Sequence, residues 1–315
     1  MTTYTGLNIP ESALKSFDTF IMKGSYEKVK FPLAFPERRQ FPTRVFKASK
    51  TNPITESPQK VQRKRDITRR ANLTVTTTEY PIPQLGIGYN IAEEDLRESV
   101  NYGYQDLFSL TQDEALSSFY NQADICMFST WDSAITWYDT ESTAPGLYNY
   151  ANTTPVNTIS SNDERYSGTG TGVTNTTATA DFIAAIKALR AQKVQIYGNT
   201  ITIVGTPQTI LSLAGLSDYD HPNINLIDKI ANGYGLKVRW VDTPYLLGTT
   251  AETTGNGSLF FVPPEAGAYI AEYGGFSSVS KYDPHDYELN FTLTYGGTLY
   301  IPRPEKVIYI KSIYY

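Results

Sequence analysis

The chain has 315 residues, of which 40% are hydrophobic, 19% charged and 13% aromatic, so it can bury a sizeable core and is not a disordered or low-complexity polymer. One cysteine, Cys126, excludes an internal disulfide and any multi-cysteine metal site, and no apolar run is long enough to span a bilayer. Residues 1–70 hold fifteen of the 27 Lys and Arg but six of the 32 Asp and Glu, so a segment of net charge +9 precedes a remainder of −14. Charge asymmetry of this size concerns partners rather than fold: either copies of the chain hold one another, or the chain holds nucleic acid.

The N-terminus, MTTYTGLNIPESALKSF, has no basic region followed by an apolar core, so no signal peptide is expected, and the single cysteine suits a reducing cytoplasm. Leu14, Phe17, Phe20 and Ile21 share one face of a short amphipathic helix. Pro32, Pro36 and Pro42 then forbid a long helix and favour an extended arm, which must lie on some other surface because it cannot build a core alone.

LTVTTTEY alternates and is rich in Thr and Val, which marks a strand. Ile82, Leu85, Ile87 and Tyr89, spaced by Pro and Gly, read as the returning limb of a long hairpin. Its outgoing limb carries Lys60, Arg63, Lys64, Arg65, Arg69 and Arg70. Glu93, Glu94, Asp95 and Glu98 mark a helix start, where acidic groups favour the positive end of the dipole. Leu107, Thr111, Ala115, Phe119, Ala123 and Met127 recur every four residues, which predicts one long amphipathic helix containing Cys126.

Residues 131–180 are Ser, Thr, Asn and Gly-rich and read as a connecting loop. Beyond them the pattern is α/β. Phe182, Ala185, Ile186 and Leu189 line a helix face, and NTITIVG is a buried strand. A helix opens at Thr206-Pro207 and closes at Gly215; another ends at Gly233, before the strand LKVRWVD. SLFFV and AYIAEY are further strands. Tyr287, Leu289, Phe291 and Leu293 mark one strand of the tail and Val307, Tyr309 and Ile310 another, with the chain expected to bend at Gly296-Gly297.

Motifs for chemistry are sparse. The sequence contains no phosphate loop, no H-E-x-x-H and no G-x-S-x-G. Gly168, Gly170 and Gly172 follow a polar stretch rather than a strand and read as loop. Asp283, His285, Asp286 and Glu288 have the residue types to hold a metal ion, as have Asp218, Asp220 and His221, but both stretches are also ordinary turn chemistry. No catalytic, cofactor-binding or metal site is therefore assigned, no cofactor is expected, and the chain reads as a non-enzyme. For the basic segment, the acidic remainder would repel a phosphate backbone, so its expected counter-charge is a neighbouring copy.

Taken in order, these parts resemble a tailed-phage major capsid protein of the Hong Kong 97-like capsid fold, over essentially the whole chain. The resemblance lies in a basic N-terminal arm, a hairpin returning through LTVTTTEYPIPQLGIGYNIAEEDL, a helix over residues 104–128 and the segment APGLYNYANTTPVNT. The pairs TPQTILSLAG and NINLIDKIANGYGLKVRWVDTPYL and the final strands complete it. It implies an α+β fold with an N-terminal arm (1–50), an extended β-hairpin loop (51–91), and a peripheral domain with a long spine helix and connecting loop (92–180). An axial α/β domain (181–275) and C-terminal return strands of the peripheral domain (276–315) follow. It further implies hexamers and pentamers of an icosahedral virion shell, assembled in the host cytoplasm around double-stranded DNA that is enclosed without sequence-specific binding. Portal, scaffolding and decoration proteins are its implied further partners, and no membrane is involved. Lys60, Arg63, Lys64, Arg65, Arg69 and Arg70 become its expected inter-subunit contacts. Encapsulin shells share this pattern and stay open as an alternative. So do a nucleic-acid-binding protein using residues 60–70 and a metal-dependent enzyme built on Asp283–Glu288.

Overall fold

The computed structural model describes residues 30–51, 75–94, 107–129, 146–148, 158–160, 175–214, 226–247, 257–283 and 285–313. Two mixed sheets, a long helix and a two-stranded ribbon account for most of them.

The first sheet has the order β1-β9-β10-β4, from β1 (Arg38–Gln40), β9 (Tyr269–Asp283), β10 (Glu288–Tyr300) and β4 (Gln84–Ala92). Leu289, Phe291, Leu293 and Tyr295 alternate along β10 and are buried on one face, as their period of two requires. That face packs on the helix α2 (Leu107–Phe128). Ala115, Phe119, Ala123 and Met127 of the predicted four-residue series are all buried there, and Cys126 is buried beside them, a small core residue whose thiol burial pushes up.

Two details of this sheet differ from the sequence reading. Residues 84–89 are not a hairpin limb: β4 pairs with β10 from Glu288↔Ala92 to Gly296↔Gln84, while Ile82 donates its N–H to the Arg44 carbonyl at 2.6 Å. The chain also does not bend at Gly296-Gly297. The reversal lies at His285–Tyr287, where Tyr287 is exposed with φ 52°, and β10 runs straight through both glycines. What happens there is a bulge on the partner strand. Gly296 faces Gly275 while Gly297 faces Glu272, so β9 carries two extra residues, with Gly274 and Gly275 at positive φ. Two extra residues preserve the alternation of faces. A side chain on Gly296 would strike the Tyr273 carbonyl, and one on Gly297 the Tyr295 phenol, so clearance explains the pair.

The second sheet has the order β5-β11-β8-β6-β7, from β5 (Thr158–Ser160), β11 (Ile308–Ile313), β8 (Gly257–Val262), β6 (Thr200–Gly205) and β7 (Lys237–Asp242). The tail therefore does not return wholly through the first sheet, as the expected 276–315 unit implied. β9 and β10 lie in the first sheet, whereas β11 pairs with β8 and β5 in the second. The second sheet is buried on both faces, which is why β6 and β8 read as continuous apolar runs. On one face Ile201, Ile203, Phe261, Ile308 and Ile310 meet Phe182, Ala185, Ile186 and Leu189 of α3 (Asn175–Ala191). On the other, Val204, Val241, Phe260, Val262 and Tyr309 join the core that contains α2 and β10.

Two shorter helices, α4 (Pro207–Ala214) and α5 (Leu226–Gly233), flank β6 and β7. Thr206 occupies the predicted cap position before α4. Its hydroxyl accepts the Ser258 N–H at 3.3 Å and donates to Thr209 Oγ1 at 2.9 Å, which ties the helix start to β8.

Candidate assembly surface

The last stretch of the arm enters the first sheet through a single helical turn, α1 (Phe31–Ala34), with Pro32 inside its first turn where a missing N–H costs nothing. Phe31 and Phe35 drive it down: both are almost fully buried, Phe31 at 5.8 Å from the Tyr295 ring and Phe35 at 6.0 Å from Phe128. Beneath the turn, Asp124 of α2 accepts the Lys30 N–H on both oxygens at 3.0 Å and the Phe31 N–H at 2.9 Å. Burial pushes this carboxyl up to about 6, against the lowering effect of those N–H groups and of Lys30.

The arm then adds β1 in parallel to the edge of β9. Lys30, Arg38, Arg39 and Arg44 of the arm each meet a partner in their own chain. Lys30 Nζ lies 3.1 Å from Asp242, and Arg38 Nη1 lies 3.4 Å from the buried Glu272. Burial raises the Glu272 carboxyl, while Arg38 and the Tyr295 hydroxyl oppose that rise. Arg39 pairs with Glu37 and lies 4.1 Å over the Tyr269 ring; Arg44 sits 5.9 Å from the Tyr273 ring. The described arm thus lies on its own subunit, where the sequence reading looked to a neighbour for its counter-charge.

From here the chain leaves the sheet as a ribbon. β2 (Val45–Thr51) pairs antiparallel with β3 (Val75–Pro81), from Val45↔Pro81 to Thr51↔Val75. Its root is an aromatic cluster: Phe46 stacks on Phe41 at 4.8 Å and on Tyr80 at 5.5 Å and meets the Tyr300 edge at 5.3 Å, with Ile82 and Tyr269 packed alongside. Above the root, Val75 to Glu79 are exposed, and the strands are joined across by Lys47–Glu79 and by Ser49–Thr77. A two-stranded ribbon exposed in this way is marginal in water by itself and needs a surface to lie on. Truncating its anchor, Phe46→Ala, is expected to cost about 3–4 kcal/mol. Limited proteolysis should then cut within residues 45–81 before the sheets, and equal resistance of variant and parent would remove the anchoring role.

Lys60, Arg63, Lys64, Arg65, Arg69 and Arg70 lie outside the described residues, in the stretch between Thr51 and Val75 that joins the two strands. His221, Asp218, Asp220, Asp95, Glu98 and the Gly168–Gly172 run also lie outside them. Asp283 and residues 285–288 of the Asp283–Glu288 stretch are described and lie where β9 gives way to β10. Asp283 Oδ1 accepts the His285 N–H at 3.0 Å, and Glu288 accepts the Asn90 amide at 2.9 Å. Among the described residues no group of three His, Cys, Asp or Glu is placed to hold a metal ion, and no helix is long and apolar enough to cross a membrane. Glu93 is buried rather than solvated and accepts the Tyr282 hydroxyl at 2.9 Å.

Sequence reasoning missed Asp124. A signal was present: Leu116, Tyr120, Asp124 and Phe128 form one i,i+4 row, all four are buried, and Asp124 is the only charge in it.

No protein-family model matches the sequence, and no curated protein does. Solved structures do match. A virus-like particle from Pyrococcus furiosus aligns over 95% of this chain and 99% of its own, at 8% identity and a TM-score of 0.59. A structure from Mycobacterium phage Bobi aligns over 90% of both chains at 10% identity, with a TM-score of 0.62. The capsid of the phage XM1 aligns over 86% of both at 13% identity, with a TM-score of 0.57. The chain has the mixed α+β, Hong Kong 97-like capsid fold. Identities of 8–13% speak of fold alone.

Proposed function

We propose that this chain is the major capsid protein of a tailed double-stranded DNA phage, a structural subunit that assembles as hexamers and pentamers of an icosahedral shell. The carrying observation is that the capsid of an empty GTA particle and the capsid of the phage XM1 match this chain over 91% and 86% of its length and over 90% and 86% of their own, at TM-scores of 0.58 and 0.57. In this reading α2 is the spine helix of a peripheral domain built on the first sheet, and the second sheet with its helices is the axial domain. The ribbon reaches over an adjacent subunit and places Lys60, Arg63, Lys64, Arg65, Arg69 and Arg70 against its acidic surface. Exposed ion pairs are worth under about 1 kcal/mol each, but a closed shell repeats them at every contact. Portal, scaffolding and decoration proteins are the further partners of such a head, with assembly in the host cytoplasm.

A second reading is an encapsulin-type compartment, a shell that encloses protein rather than a genome; the likeness to a virus-like particle from Pyrococcus furiosus is compatible with either shell. Negative-stain microscopy of the purified full chain tests both. Uniform hollow particles or capsomer-sized rings are expected, and a monomer at high concentration would overturn the shell reading. Nuclease-protected DNA in particles from the native source supports the head; cargo protein without DNA supports the compartment.

A further inference from the structure

Residues 30–35 touch three parts of the fold at once. Their backbone hangs on Asp124 of α2 through the Lys30 and Phe31 N–H groups. The Lys30 side chain reaches Asp242 at the end of β7, and Arg239 of β7 donates to the Leu33 carbonyl at 3.5 Å. Phe31 and Phe35 fill the core against Tyr295 and Phe128. One short segment therefore spans the helix beneath the first sheet and an edge strand of the second. We propose that residues 30–35 are a strap tying α2 to β7, and that Asp124 is a proton-responsive catch that sets how firmly the strap stays closed.

The catch is a carboxyl 3% exposed, taken out of water by the segment it holds. Among the described residues, the strap brings Lys30 to it, and through the strap's own contacts Asp242 and Arg239 of β7 and Tyr295 of β10 stand nearby; Tyr120 lies one turn before it on α2. Tyr245 stands on the turn Pro244–Leu247, its phenol raised first by burial and then by the charge of Asp124. Lys30 is the cation that lowers Asp124, and its ammonium is shared with Asp242.

The sign follows from linkage. Closed, Asp124 holds its proton up to about pH 6; released into water it titrates near its ordinary 3.8. The closed state binds the proton more tightly, so closure strengthens as pH falls between those values and is weakest above them. This runs against the intuition that protonating a hydrogen-bonded carboxylate springs a catch, because the burial of the charge outweighs the three N–H contacts.

Amide hydrogen exchange of the full-length protein, read by mass spectrometry on the peptide covering residues 30–36, tests this whether or not the chain assembles. After correction for intrinsic rates, strap opening should be about tenfold rarer at about pH 5 than at about pH 7.5. A peptide from the centre of β10 should show no such ratio. Asp124→Asn, which carries no charge at either pH, should remove the pH dependence. Asp124→Ala, which leaves the buried N–H groups without their acceptor, should raise exchange at both pH values. A flat ratio in the parent protein overturns the catch, and so does an Asn variant that keeps the parent's profile. Because the parent's ratio is itself decisive, poor folding of a variant does not protect the idea.

Discussion

Reversing Arg63, Lys64 and Arg65 to Glu should abolish particle formation while leaving the subunit folded. Four charges of the described arm are already paired: Lys30, Arg38, Arg39 and Lys47 meet Asp242, Glu272, Glu37 and Glu79 of the same chain. Six further Lys and Arg lie between Thr51 and Val75, in the stretch of sequence that joins the two strands of the ribbon. The fold should not notice the change, because the ribbon's anchoring lies at its root in Phe46, Tyr80 and Tyr300. The partner surface should notice it strongly. Three attractions of about 0.5–1 kcal/mol become repulsions of similar size at each contact, and a closed shell multiplies that penalty. Sedimentation and microscopy at low salt should show subunits or capsomers in place of shells. Parent shells should loosen as salt rises past the screening range. Normal shells from the triple variant would end the role given to residues 60–70. Normal shells that no longer retain DNA would move that role to the genome.

Much of the fold was legible because its signals are local. The four-residue spacing over 107–127 could only bury one face of a helix, and the α/β order of residues 178–242 carried caps and apolar runs in sequence. Pairing was harder, because which strand lies beside which is decided by packing far along the chain. Leu85, Ile87 and Tyr89 alternate well enough to be a hairpin limb, yet β10 takes them because its own buried face must be continued beside it. The Gly296-Gly297 pair looked like a turn for a related reason. Glycine serves a bend and a close approach equally well, and only the Tyr273 carbonyl lying against Gly296 tells them apart. That residues 30–44 lie on their own subunit was not legible because charge counting does not see that Phe31 and Phe35 fit the subunit's own core.

Gly146 shows how far such clearance can decide a sequence. It stands in the APGLYNY stretch, and its φ is not among the positive ones, so backbone freedom is not what selects glycine there. A Cβ at Gly146 would overlap the Ser129 carbonyl at the end of α2 and come within 3.1 Å of the Cys126 carbonyl. Leu147 next to it is fully buried, and Tyr148 meets Tyr309 and Phe260 edge-on at 5.8 and 6.3 Å. The segment is a wedge between the long helix and the second sheet, pressed against backbone that cannot yield. Gly→Ala at an unstrained position normally stabilises by about 0.4–1 kcal/mol through the unfolded chain. Here the sign should reverse. Gly146→Ala must expel Leu147 or bend the helix end, so a loss of about 3–5 kcal/mol is expected, with little soluble subunit left to assemble. Gly88→Ala is the control: its Cβ would meet nothing closer than the Phe291 carbonyl at 3.6 Å, and denaturation should find it near neutral. Equal midpoints for the two variants would mean that the wedge yields and that Gly146 is not required by the close approach.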